Sequence, residues 1–249
     1  MLKFALNLEY LEAQYYLYAT TGRGIPAQDV STDGSGTKGF VTIKDNPQVN
    51  FHTGAIRQYA REIAADELAH VEFLRAAIRA GGVEPIAQPK IDLLNSFNTL
   101  AQAAGIGSSF DPFANEVNFL LGAFIFEDVG VTAYKGASPL IDSKVYLEAA
   151  AGLLAVEAYH ASEIRTTLFA LDTSDRLAGI AGIVQKISDL RDILDGNGDK
   201  DQGIRDDGMA NIVPTNGNGL AQSRDESLSS SVKASVVPAL QPTGRDEGK

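Results

Sequence analysis

Two short motifs constrain this chain more than any other feature. Glu67-Leu-Ala-His70 and Glu157-Ala-Tyr-His160 share a Glu-x-x-His spacing, and they use two of only three histidines in 249 residues. On an α-helix, positions three apart share a face, so each motif aims a carboxylate and an imidazole the same way. Ile63, Leu68 and Val71 surround the first motif, and Leu153, Leu154 and Val156 the second, so both faces turn inward. A carboxylate drawn into a core is costly unless an opposite charge meets it. One such motif arises by chance; two, on separate long helices, require a reason.

The other long helices echo each other as well. Glu9 is followed seven residues later by Tyr16, and Glu127 seven residues later by Tyr134. Arg75 follows His70 by five positions, as Arg165 follows His160. The chain therefore reads as two copies of a helix pair, each with one single-Glu helix and one Glu-x-x-His helix. Glu127 closes the apolar run Phe119 to Phe126, where an unpaired carboxylate is unfavourable. Glu12 shares a face with Glu9, and the Glu-to-Tyr echo favours Glu9. Glu163, one helical step past His160, reads as surface.

The expected order is helix from Leu2 to Ala19, a glycine-rich loop over 22–50 with a short strand at Phe40 to Ile43, and helix from Gly54 to Ala80. A weaker helical stretch covers Ile91 to Ala104. Asp111-Pro112 reads as the start of a helix that reaches Lys135 and stops at Gly136. Further helices run from Ser138-Pro139 to Leu171 and from Ser174 to Leu194. This predicts an all-α bundle over 1–195 and a Gly/Asp/Ser-rich, irregular extension over 196–249. The acidic run 195–201 lacks the sixth-position Gly and twelfth-position Glu of a calcium loop and reads as a solvated turn.

Composition removes several classes of function. A net charge of -11 argues against a nucleic-acid partner, whose affinity comes mainly from Lys and Arg. The absence of cysteine excludes disulfides, thiolate metal sites and Cys nucleophiles. No apolar run suggests a membrane span, and no signal-peptide pattern opens the chain.

Two facing helix pairs bring four carboxylates (Glu9, Glu67, Glu127, Glu157) and two imidazoles (His70, His160) into one core. Two divalent cations balance four carboxylate charges, and oxygen and imidazole donors without thiolate favour iron or manganese over structural zinc. Asp66 is a candidate partner for the second nitrogen of a ligand histidine. Tyr16 and Tyr134 are candidate hydrogen-bond or electron donors beside the metals, against the simpler reading of buried aromatics with satisfied hydroxyls. His52 falls in a loop and is not a ligand candidate. Arg75 and Arg165 read as solvent-facing or salt-bridge residues one turn beyond the site.

The stretches Asn7-Leu-Glu-Tyr-Leu-Glu-Ala13, Asp66-Glu-Leu-Ala-His-Val71, Phe126-Glu-Asp-Val-Gly-Val-Thr-Ala-Tyr134 and Glu157-Ala-Tyr-His160 resemble the ferritin-like superfamily. With Leu190-Arg-Asp192, Asp199-Lys-Asp-Gln-Gly203 and Asn211-Ile-Val-Pro214, they are similar, more narrowly, to its plant desiccation-related group. The resemblance spans residues 2–225. It implies a ferritin-like four-helix bundle with a fifth helix and an irregular C-terminal tail, and a carboxylate-bridged pair of iron or manganese ions. It further implies oxidoreductase chemistry on O2, peroxide or ferrous iron, a homodimer, and a mature form that acts outside the cytoplasm. The alternative is a structural or stress-protective bundle without turnover. The long loop and tail argue against a hollow storage shell.

Overall fold

Local chemistry sets where the helices begin and end. In the computed structural model, which describes residues 1–174, 179–195, 201–216, 218–221 and 240–241, α1 spans Leu2–Thr21. It stops at Gly22, whose left-handed φ of 75° turns its N–H back to the Tyr18 carbonyl. α2 (Gly54–Ala80) runs into Gly81-Gly82. α3 (Asn95–Ala103) is short, α4 covers Glu116–Ala137, α5 covers Lys144–Asp172 and α6 covers Ile180–Asp195. The Ser143 hydroxyl caps α5 by accepting from the Tyr146 N–H.

Three expected boundaries move, and one of them is the helix expected from Ser138-Pro139: Ser138–Leu140 makes only a 3-10 turn, and α5 begins at Lys144 behind its Ser143 cap. α4 does not start at Asp111-Pro112. Asn115 is its cap, accepting from the N–H groups of Val117 at 3.0 Å and Asn118 at 2.9 Å. The Asp111 carboxylate is occupied instead by the Phe113 N–H at 2.9 Å and by Lys44 at 2.6 Å. The stretch from Ile91 divides into β2 (Lys90–Asp92) and α3, because the Asp92 carboxylate takes the N–H groups of Leu94 and Asn95 and breaks the chain there. β2 pairs in parallel with β1 (Val41–Thr42), and the strand expected at Phe40 to Ile43 is this β1. A two-residue hairpin pair follows α6, β3 (Arg205–Asp206) with β4 (Met209–Ala210), and β5 (Leu240–Gln241) lies antiparallel to β2. Most of the acidic run 195–201, and the first residues of the expected Ser174 helix start, fall outside the described residues.

α1 packs chiefly on α2, and α4 on α5, so the bundle is two helix pairs meeting at a seam. α4 is apolar nearly all round, and it is buried nearly all round. By length and composition alone Glu116–Leu140 would pass for a membrane span, but 83% of its most apolar window is buried inside the bundle, as in a core helix, and no membrane span is evident among the described residues. Tyr15 stacks on Phe119 at 5.6 Å and meets Phe126 edge-on at 5.0 Å, tying α1 to α4. Full burial of each such side chain contributes about 1.5–3 kcal/mol.

The two echoed arginines are not at the surface. Arg75 is 3% and Arg165 0% exposed. Arg75 donates to the Tyr10 hydroxyl and to the Asp33 carbonyl at 2.7 Å, pinning the 22–50 loop against α2. Arg165 pairs with Asp128 at 2.8 Å and donates to the carbonyls of Gln202, Gly203 and Asn211. Asp128 also pairs with Arg191 at 3.0 Å, and Arg191 with Asp201. A buried guanidinium needs all its donors engaged, and backbone carbonyls of a neighbouring segment supply what carboxylates alone do not. Ile204 is fully buried, so the first part of the region after α6 packs on the helices.

Candidate metal centre

The seam gathers all six candidate ligands. Glu9 comes from α1, Glu67 and His70 from α2, Glu127 from α4, and Glu157 and His160 from α5. The four glutamates are 0% exposed, His70 7% and His160 5%. Their donor atoms form two overlapping groups, Glu9–Glu67–His70–Glu157 and Glu67–Glu127–His160, with the atoms in each group within 4.8 Å of one another. Glu67 belongs to both groups.

Each histidine turns Nδ1 inward. His70 Nδ1 lies 3.1 Å from Glu9, 3.3 Å from Glu67 and 3.7 Å from Glu157. His160 Nδ1 lies 3.1 Å from Glu67 and 3.3 Å from Glu127. The second nitrogen of His160 points outward and meets Asp66 Oδ2 at 3.1 Å. The tyrosines cross between the halves. Tyr16 of α1 donates to Glu127 of α4, and Tyr134 of α4 donates to Glu9 of α1. Both tyrosines are buried, with a candidate ligand as hydroxyl partner.

The electrostatics follow from burial and mutual charge. Burial, then the charge of Glu67, pushes Glu9 up to about 7. Burial and the charges of Glu67 and Glu127 push Glu157 well up. Burial alone would raise Glu67, but His160 and His70 hold it down at about 2. Burial would lower both imidazoles; Glu67 and Glu9 instead raise His70 to about 10, and Glu127 and Glu67 raise His160 to about 12. Even so, Glu67 Oε1, Glu127 Oε2 and His160 Nδ1 face one another at 3.1 and 3.3 Å without hydrogen-bond geometry, and neither Glu157 oxygen has a hydrogen-bond partner. Five buried donor atoms that meet only one another, in two adjoining groups and without well-formed hydrogen bonds, are a poor protein interior and a suitable cation site. Four carboxylates and two imidazoles fit divalent iron or manganese, which accept mixed oxygen and nitrogen donors.

Two other acids, a histidine and one glycine complete the picture. Glu12 is 4% exposed and faces inward like Glu9, yet it stands outside both donor groups; burial and the charge of Glu157 raise its pKa well above normal. Glu163 is half-buried, in the wall of a cleft beside His160 and outside the donor groups. His52 is exposed, with its backbone N–H on Glu116. Gly130 is the residue that sequence reasoning missed: a Cβ there would meet Glu157 Oε2 at 2.0 Å. The available signal was its place on α4, one turn after Glu127.

Among known proteins, the chain is 34% identical over 212 residues to the desiccation-related protein PCC13-62 of Craterostigma plantagineum, covering 82% of this chain and 64% of the relative. It is 26% identical over 211 residues to the ferritin-like catalase Nec2 of Nesocodon mauritianus, covering 82% and 65%. The chain thus spans just under two thirds of the length of these relatives. No solved structure matches. Residues 1–170 match the ferritin-like domain family, and with the helix pairs and the buried Glu/His seam described above, the chain belongs to that ferritin-like family.

Proposed function

We propose that this protein holds two iron or manganese ions between Glu9, Glu67, His70, Glu127, Glu157 and His160, and acts as an oxidoreductase on a small oxidant. The observation that carries this reading is the set of five buried donor atoms that meet only other members of the cluster and lack well-formed hydrogen bonds. Glu67, which belongs to both groups, would help to hold both ions. Bound iron or manganese supplies open coordination positions and a change of oxidation state. The chain's own residues hold and orient. Tyr16 and Tyr134 fix Glu127 and Glu9 through their hydroxyls, and Asp66 sets the His160 ring so that Nδ1 faces the carboxylates. Ile63 and Phe124, both fully buried, help keep bulk water from the seam.

Hydrogen peroxide is the first substrate to assay, since one relative is a ferritin-like catalase; two peroxides would yield two waters and one O2. The test is elemental analysis of the purified chain beside a Glu67→Ala/His70→Ala variant, with O2 release from peroxide followed in both. Two metals per chain and peroxide turnover, both lost in the variant, support the proposal. Two metals without turnover of peroxide, O2 or ferrous iron remove the catalytic part. The desiccation-related relative favours a second reading, a stress-protective bundle without turnover. In that case a Glu67→Ala/Glu157→Ala variant keeps its protective effect on a dried test enzyme. A homodimer is our expectation for the assembly, to be read by light scattering.

A further inference from the structure

A buried centre needs a route in, and the seam has openings of opposite character. One is a cavity at the end of the bundle that reaches Tyr134, walled by Leu2, Phe4, Leu8, Phe73 and Leu153. A hydrated cation there would shed water with nothing to replace it. The other is a cleft of about 580 Å³ between α2 and α5. Its walls include Glu62, Asp66, Tyr159, Glu163 and Thr166, and His160 forms part of its floor. His160 is 5% exposed, so the cleft ends directly on a candidate ligand. Asp66, with its side chain 44% exposed, holds the outward nitrogen of that ring.

Resting on the metal reading above, we propose that this cleft is the entrance by which hydrated divalent cations reach the centre, with Glu62 and Glu163 capturing the ion at the mouth and Asp66 passing it beside His160. Glu62 stands on α2 and Glu163 on α5, so the two carboxylates approach from opposite walls. They are close enough that, after burial, the charge of Glu62 is the main influence raising the pKa of Glu163. Like charges on the walls of a cleft focus the field and raise the local concentration of cations. Neither belongs to the donor groups, so each serves passage without holding the bound ion.

The test is stopped-flow loading of the metal-stripped full chain with Co²⁺, followed by its visible absorption at low ionic strength. Three variants are compared with wild type: Glu62→Gln/Glu163→Gln, Thr166→Lys, which adds a positive charge to the cleft wall, and Glu72→Gln, which removes an exposed charge of α2 outside the cleft. The first two load more slowly, by roughly 10-fold, the lower end of what charged clefts achieve. Their final cobalt per chain equals wild type, the gap narrows in 0.5 M salt where screening is short-ranged, and Glu72→Gln loads normally. Loading at the wild-type rate in the cleft variants overturns the entrance while leaving the metal centre standing. So does a slowing that salt does not relieve. A wild-type chain that takes up no cobalt at equilibrium overturns the metal reading and the entrance together.

Discussion

Gly130→Ala separates the centre from the fold. The added methyl would lie 2.0 Å from Glu157 Oε2 and 2.8 Å from its Cδ, whereas Cβ atoms essentially never come within 3.0 Å of another heavy atom. The carboxylate must therefore retreat by about 1 Å, the difference between those limits. Metal–ligand bonds tolerate only about 0.2 Å, so Glu157 is lost as a donor. The helix itself gains, because Ala is favoured over Gly by about 1 kcal/mol in a helix interior. Overpacking costs about 1–3 kcal/mol, at the lower end here because the displaced atom is the tip of a flexible side chain. The two effects nearly cancel, and the metal-stripped variant unfolds in urea within about 1 kcal/mol of wild type. Metal affinity falls by at least the 10–100-fold seen when a supporting partner is disturbed. Gly152→Ala on α5 is the control: nothing lies near its Cβ, so it stabilises without changing metal content. Elemental analysis after gel filtration reads the outcome. Full metal at wild-type affinity in Gly130→Ala would refute the placement of Glu157 in the centre.

Three further outcomes are expected. Arg165→Met removes one of the two buried cations paired with Asp128 and a donor from the carbonyls of Gln202, Gly203 and Asn211, and costs about 3 kcal/mol in urea unfolding, the lower end for breaking a buried pair because Arg191 remains; a change below 1 kcal/mol would show the network to be dispensable. Asp66→Ala leaves the outward nitrogen of His160 without its carboxylate and lowers metal affinity about 10–100-fold, measured by competition with a chelator. The metal-stripped chain loses stability as pH rises from 6.5 to about 10: His70 titrates near 10 when folded and 6.5 when not, so the folded state binds more protons across that window. Thermal melts across the window read this, and a rise in stability there contradicts the assignment. Metal displaces those protons, so loading acidifies an unbuffered solution.

The helix pairs and the six inward donors were legible because they rest on spacing, and spacing survives folding. Glu-x-x-His and the Glu-to-Tyr echo need only a helix to place them on one face. The choice of Glu9 over Glu12 came from the echo, and Glu9 is the one within a donor group although both are buried. What was misread depended on distant partners. Arg75 and Arg165 read as solvent-facing or salt-bridge residues; Arg165 does pair with Asp128, but nothing local reveals that both are buried and that a loop carbonyl at Asp33, or the carbonyls of Gln202 and Asn211, will reach them. The His-to-Arg spacing shared by both halves was the available clue. Asp111-Pro112 is a sound cap in isolation, but Lys44 claims its carboxylate and Asn115 does the capping. Gly130 carries no side chain to read, and its role appears only when Glu157 arrives from another helix.

The bond from Asp66 to His160 breaks the likeness of the two halves. Asp66 immediately precedes Glu67 in the first motif; the residue that precedes Glu157 in the second is Val156, which offers no acceptor. An imidazole leaning on a carboxylate is a more basic donor than one without such support. The two donor groups are therefore not alike, and the one with His160 is also the one the cleft reaches. Were the proposed centre to take ions in succession, they would meet unequal berths, and a chain given one equivalent of metal would settle into a half-filled state with a preferred side.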